Sequence, residues 1–184
     1  MTSPDVLVAL ARFARARIAE ELGASPASRD GIDASCERPG ASFVTLRWND
    51  GRLQGCIGSL EPRRPLVDDV AHNALAAAFE DPRAEPLVRA DVGVLRVEVS
   101  VLSALERIAF DGTEEGARDA LRAGVDGVVL AYGARRGAFL PQMWEDLETP
   151  AAFLAELKRK ARLDRAFWSN EIELHRYTVA KGYA

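Results

Sequence analysis

A chain of 184 residues, 48% hydrophobic and 28% charged, can bury a sizeable core without disulfide or metal staples. A formal net charge of -4 argues against a general affinity for nucleic acid or anionic membrane, and no apolar run reaches the ~18 residues of a membrane-crossing helix. The expectation is one cytoplasmic domain spanning 1–184, since Met1-Thr2-Ser3-Pro4-Asp5 lacks the basic segment of a secretory signal.

Ser3-Pro4-Asp5 reads as a helix start, with a capping hydroxyl, a proline in the first turn and an acid at the positive dipole end. Val6, Leu7, Leu10, Phe13, Ala14, Ile18 and Leu22 then recur on one helical face as far as Gly23. The stretch 24–40 is rich in Ser, Pro, Gly and Asp and predicts an exposed loop carrying Cys36. Ser42 to Trp48 and Arg52 to Ile57 flank Asn49-Asp50-Gly51 and predict a hairpin, because Asp-Gly accommodates the positive φ of a tight turn. Leu66 to Glu80 has a helical apolar stripe, and Asp81-Pro82-Arg83 stops it.

Val94 to Leu102 alternates as a half-buried strand, and Thr113 to Arg122 predicts a short helix. A second hairpin is expected from Asp126 to Tyr132 and Ala138 to Leu140, then a helix capped by Thr149-Pro150 and running to about Ala161. Glu171 to Val179 reads as the final strand. Hairpins mixed with helices in no strict β-α-β order predict an α+β fold, with a mixed or antiparallel sheet and flanking helices. The stretches 42–80 and 126–161 share a hairpin-then-helix order without a residue-level repeat.

The chemistry centres on Gly55-Cys56-Ile57-Gly58, read as a turn near a strand's end. Glycines there allow close approach of backbone or ligand and leave neighbouring N–H groups uncovered, which suits an anion or oxyanion. A reactive thiol needs a cation or a helix N-terminus, and the candidates are Arg63, Arg64 and the helix beginning near Leu66. The other reading of Cys56 is a small side chain packed in a bend. Asp68 and His72 are spaced as a helical pair that could orient an imidazole or could simply be solvated, and His175 falls in the final strand. Asp68-Asp69 and Glu80-Asp81 read as helix-surface and helix-end acids, and the basic run from Lys158 to Arg165 as a solvated helix end. No Cys or His pair has metal-ligand spacing, and phosphate-loop, dinucleotide and Gly-x-Ser-x-Gly motifs are absent, so neither metal nor cofactor is expected.

Several segments, in order, resemble one family. Leu53-Gln54-Gly55-Cys56-Ile57-Gly58 is similar to the Leu-Arg-Gly-Cys-Ile-Gly hallmark of the AMMECR domain family, called AmmeMemoRadiSam system protein A in bacteria. Ala78 to Arg83 resembles the family's Ala-x-x-Asp-Pro-Arg segment, and Val97 to Leu102 its Glu-Val-Ser-Val-Leu strand. Phe139-Leu140-Pro141-Gln142 resembles its Leu-Pro-Gln element, and Phe153 to Leu163 its Phe-Leu…Lys-Ala-Gly-Leu helix. Gln54 stands where the family has arginine, Ala84 where it often has phenylalanine, and Arg162 where it has glycine.

The resemblance implies two unequal lobes with a cleft between them, and a pathway shared with a radical SAM protein and a Memo-like protein. It implies no established reaction. On the family motifs, the candidate site comprises Cys56 as catalytic thiol, with Gln54, Gly55, Ile57, Gly58, Asp81, Arg83 and Gln142 as ligand-binding residues. The alternative it leaves open is a non-catalytic module that docks those partners.

Overall fold

The computed structural model describes residues 2–184; Met1, the first residue of the N-terminal stretch above, lies outside the described residues. In chain order the elements are α1 (Pro4–Glu21), β1 (Pro39–Gly40), β2 (Ser42–Trp48), β3 (Leu53–Gly58), β4 (Arg64–Pro65), α2 (Leu66–Phe79) and β5 (Leu95–Leu102). There follow β6 (Glu106–Arg107), α3 (Glu114–Asp119), β7 (Gly127–Tyr132), β8 (Arg135–Phe139), α4 (Pro150–Lys160), β9 (Glu173–Tyr177) and β10 (Val179–Tyr183). The class is the expected α+β, with antiparallel pairing in both hairpins.

The chain forms two compact units, one reaching Leu102 and including Ala180–Ala184, the other Ser103–Val179. In the first, strands are ordered β10-β5-β2-β3, and β1 and β4 make a separate small ladder. The hairpin turns at Gly51, whose φ of 88° is the left-handed conformation that Asp-Gly was expected to supply. Val44 and Leu46 of β2 and Val97 and Val99 of β5 share a buried core with Leu10, Phe13 and Ile18 of α1 and Val67, Val70 and Ala77 of α2. Alternation along the strands therefore fixes which face meets the helices.

The second unit orders its strands β6-β9-β7-β8. Its core joins Val128 and Leu130 of β7, Leu174 of β9 and Phe153, Leu154 and Leu157 of α4, and the Trp144 and Phe153 rings stack 3.9 Å apart. Thr149 caps α4 by accepting the Ala152 N–H, as the Thr-Pro pair predicted.

Several local expectations change. The final strand is two strands: Glu173–Tyr177 belongs to the second sheet, while β10 returns to the edge of the first. Thr178 separates them, and no composition signal marks the break. Cys36 is not in the open. A short 3₁₀ turn, Ala34–Glu37, folds it fully into the first core, where burial pushes its thiol pKa up. The polar stretch around it concealed this buried anchor, beside which Ala27 and Ile32 also pack on the core.

Candidate functional site

The hallmark lies along β3, an edge strand, and not in a turn. Its glycines are explained by packing. A Cβ at Gly55 would run into the backbone carbonyl of Ala77 on α2, and one at Gly58 into the Phe43 ring and the Ser42 carbonyl. Ile57 pairs with Val44 and packs against the core, so its side chain serves the fold.

Cys56 pairs with Thr45 across the hairpin, and both stand on the sheet face away from α1 and α2. The thiol is half-buried, and its Sγ lies 3.2 Å from Thr45 Oγ1. Thr45 was missed in the sequence, although the hairpin register alone places it opposite Cys56.

The backbone of Cys56 is clamped from the strand's open side. Its N–H donates to Asp81 Oδ2 at 2.8 Å, and its carbonyl accepts from Arg83 Nη2 at 3.1 Å. Arg83 also grips Asp81 through Nε at 2.9 Å and Nη2 at 2.6 Å. The Asp81 side chain is 2% exposed, and the Arg83 fork holds its carboxyl well below the usual carboxylate range, aided by the Cys56 and Arg83 amides and opposed by burial. The same pair raises Arg83. Two motifs separated by some 25 residues thus meet at the backbone of one residue. The clamp also covers the groups an edge strand would offer to another chain.

Gln54, in place of the family's arginine, is buried and donates Nε2 to the Glu85 carbonyl at 2.7 Å, tying β3 to the segment after α2. Gln142 lies in the second unit, in a 3₁₀ turn spanning Pro141–Trp144, and its buried Oε1 has no hydrogen-bond partner among the described residues.

Arg63 bonds Glu61, and Arg64 reaches Asp69 at 3.8 Å, so neither was found on the thiol. Gly55 meets Ala77 near the end of α2, whereas the first turn of α2 lies by Ser42 and Ser59. The helix N-terminus therefore does not serve Cys56. Asp68 pairs with Arg29 at 3.0 Å and His72 is exposed, so of the two readings of Asp68 and His72 the solvated one holds.

Asp69, expected on the helix surface, is 1% exposed. It accepts from the Ser42 amide and hydroxyl at 2.9 and 2.8 Å, Asn73 Nδ2 at 3.0 Å and Ser59 Oγ at 3.0 Å. This buried network fixes the chain leaving the hallmark. A buried carboxylate needs such partners, but a linear sequence does not show where they come from.

The basic run is likewise engaged. Lys158 is fully buried against Glu114 at 3.0 Å, and Arg159 and Arg165 both grip Glu156. Among the described residues no group of three or more His, Cys, Asp or Glu side chains is placed to hold a metal, and no helix is long and apolar enough to cross a membrane.

Two sheet units, with a cysteine clamped on the edge strand of the first by an Asp-Pro-Arg segment, define the class of protein. The chain belongs to the AMMECR1 family, whose sequence model matches residues 11–182. It is 35% identical to a protein of Thermofilum pendens over 183 residues, covering 94% of this chain and 85% of that one. It is 32% identical to protein MJ0810 of Methanocaldococcus jannaschii over 173 residues, covering 90% and 84%. The crystal structure of the uncharacterized protein PH0010 from Pyrococcus horikoshii is similar, with a TM-score of 0.80 and 30% identity over 97% of this chain and 91% of that one.

Proposed function

We propose that this protein is a cytoplasmic accessory protein acting as one functional domain beside a radical SAM protein and a Memo-like protein. In this reading the Cys56 face holds a ligand, and Cys56 touches that ligand without attacking it. The observation that carries it is the state of Cys56. Its amide is committed to Asp81, the arginine on its carbonyl is balanced by that same aspartate, and the partner of its sulfur is a hydroxyl. A thiol nucleophile is ordinarily activated by a base or an uncompensated cation, and an oxyanion beside it needs N–H donors free to turn toward it.

The test is reconstitution with the two partner proteins. Cys56→Ser should co-purify with both and sustain product formation within about twofold, because serine keeps the shape and a hydrogen bond to Thr45. Loss of about a thousandfold, or a covalent adduct on Cys56 in the intact mass, would mean nucleophilic catalysis. Failure of the unaltered chain to associate with either protein would remove the accessory role.

A further inference from the structure

Register fixes which side chains accompany Cys56. Val44, Leu46, Val97 and Val99 are in the core, so Thr45, Arg47, Arg96 and Glu98 stand on the opposite face of the first sheet. There Thr45 lies opposite Glu98, and Arg47 directly opposite Arg96. Glu98 is satisfied by Lys181 Nζ at 2.9 Å and the Ser100 hydroxyl at 3.2 Å. Arg52, in the same hairpin, is paired with Asp50 at 2.7 Å.

The two facing arginines differ from these neighbours. Arg47 donates to the Gly51 carbonyl at 3.1 Å, and no carboxylate among the described residues pairs with Arg47 or Arg96. Both are exposed. Like charges directly opposite on adjacent strands repel, and a chain with a net charge of -4 has carboxylates in excess. Thr45 and Ser100 on the same face are buried residues and Glu98 is half-buried, so the arginines are the exposed end of this polar row.

We infer that Arg47 and Arg96 form a phosphate fork, and that the ligand of the Cys56 face is a small phosphorylated compound. A phosphate monoester brings three acceptor oxygens and a charge of about -1.5 to -2 at neutral pH, enough for two guanidiniums. A carboxylate, with two oxygens and one charge, matches a single fork. From the Arg47 rung to the Thr45–Cys56 rung is two residues, about 7 Å. The inference rests on the ligand-binding reading of this face, and its test separates the two.

The full chain is titrated with glycerol 3-phosphate, inorganic phosphate and acetate at constant ionic strength, following the arginine side-chain NMR signals and the melting temperature. Both phosphates should shift the Arg47 and Arg96 signals saturably and raise the melting temperature, and acetate should do neither. Only glycerol 3-phosphate should also slow alkylation of Cys56. Arg47→Gln and Arg96→Gln, both at exposed positions, should weaken binding about tenfold or more. Arg96→Gln should melt no lower than the parent without phosphate, since repulsion is relieved, while Arg47→Gln also gives up the bond to the Gly51 carbonyl.

No saturable shift in the parent chain, an equal response to acetate, or a response surviving in both variants would overturn the fork. If the arginine signals respond but Cys56→Ser abolishes turnover, the accessory reading fails and the fork stands. If Cys56→Ser remains competent and the arginines stay silent, the fork alone fails.

Discussion

The two units are built in the same order: a hairpin, a helix packed on the hairpin, then a strand returning beside the hairpin's first. In the first unit these are β2, β3, α2 and β5, and in the second β7, β8, α4 and β9. Each second strand carries a glycine where its helix comes closest. Gly55 lies under the Ala77 carbonyl, and Gly137 against the Leu157 carbonyl and the Ala161 amide. What differs is the use of a buried aspartate. Asp81, after the helix, clamps the edge strand at Cys56, whereas Asp126, before the hairpin, binds Arg122 and Arg176 and holds the entrance to β7. The glycine at 55 thus belongs to a packing scheme that both units share. The thiol and its clamp are peculiar to the first.

The largest effect should come from breaking the shared scheme. Gly55→Ala places a methyl in a backbone carbonyl, which cannot rotate away as a side-chain tip could, and should cost about 3 kcal/mol or more. Gly137→Ala should cost less, about 1–3 kcal/mol, since its contacts are longer. Urea unfolding of both variants measures this. A neutral Gly55→Ala would show that α2 can retreat from β3, and the parallel between the units would fail.

Removing the clamp should cost less than crowding Gly55. Asp81→Asn loses the charge beneath Arg83 while Arg83, 58% exposed, can turn to water, so about 2 kcal/mol at neutral pH is expected. Because the folded carboxyl titrates well below the ordinary range, its contribution is present above the unfolded value of about 4 and is lost as pH falls below that. The gap between parent and variant should therefore narrow in acid. A gap that is constant down to about pH 2 would mean the charge on Asp81 does not contribute.

How much of this was legible follows from what each signal depends on. The hairpin at 42–58, α1, α2 and α4 were readable because turn chemistry, caps and apolar period are local. Cys56 was singled out from its flanking glycines and Asp81 and Arg83 from family motifs, and the structure brings these three together. That Asp81 would take the Cys56 amide was not readable, since it depends on where α2 ends relative to β3. Cys36 and Asp69 were misplaced for the same reason. A cysteine in a polar stretch, or one acid of two at a helix start, is buried by partners distant in sequence.

Arg162 gives the smallest prediction and a test confined to the second unit. It has φ of 60°, just past the end of α4, where the Leu163 amide bonds the Lys158 carbonyl and the Arg162 amide the Arg159 carbonyl. This is the Schellman closure, whose left-handed position favours glycine, the residue the family has there. An arginine in that conformation bears a Cβ penalty of roughly 1 kcal/mol, partly offset because glycine has more freedom to lose on folding. Arg162→Gly should therefore stabilise by about 0.5–1 kcal/mol and slow hydrogen exchange at the end of α4. The exchange rate of the Cys56 amide, held by Asp81, should not change. If it slowed equally, the clamp and the helix end would open together, and the two units could no longer be treated as separate solutions to the same packing problem.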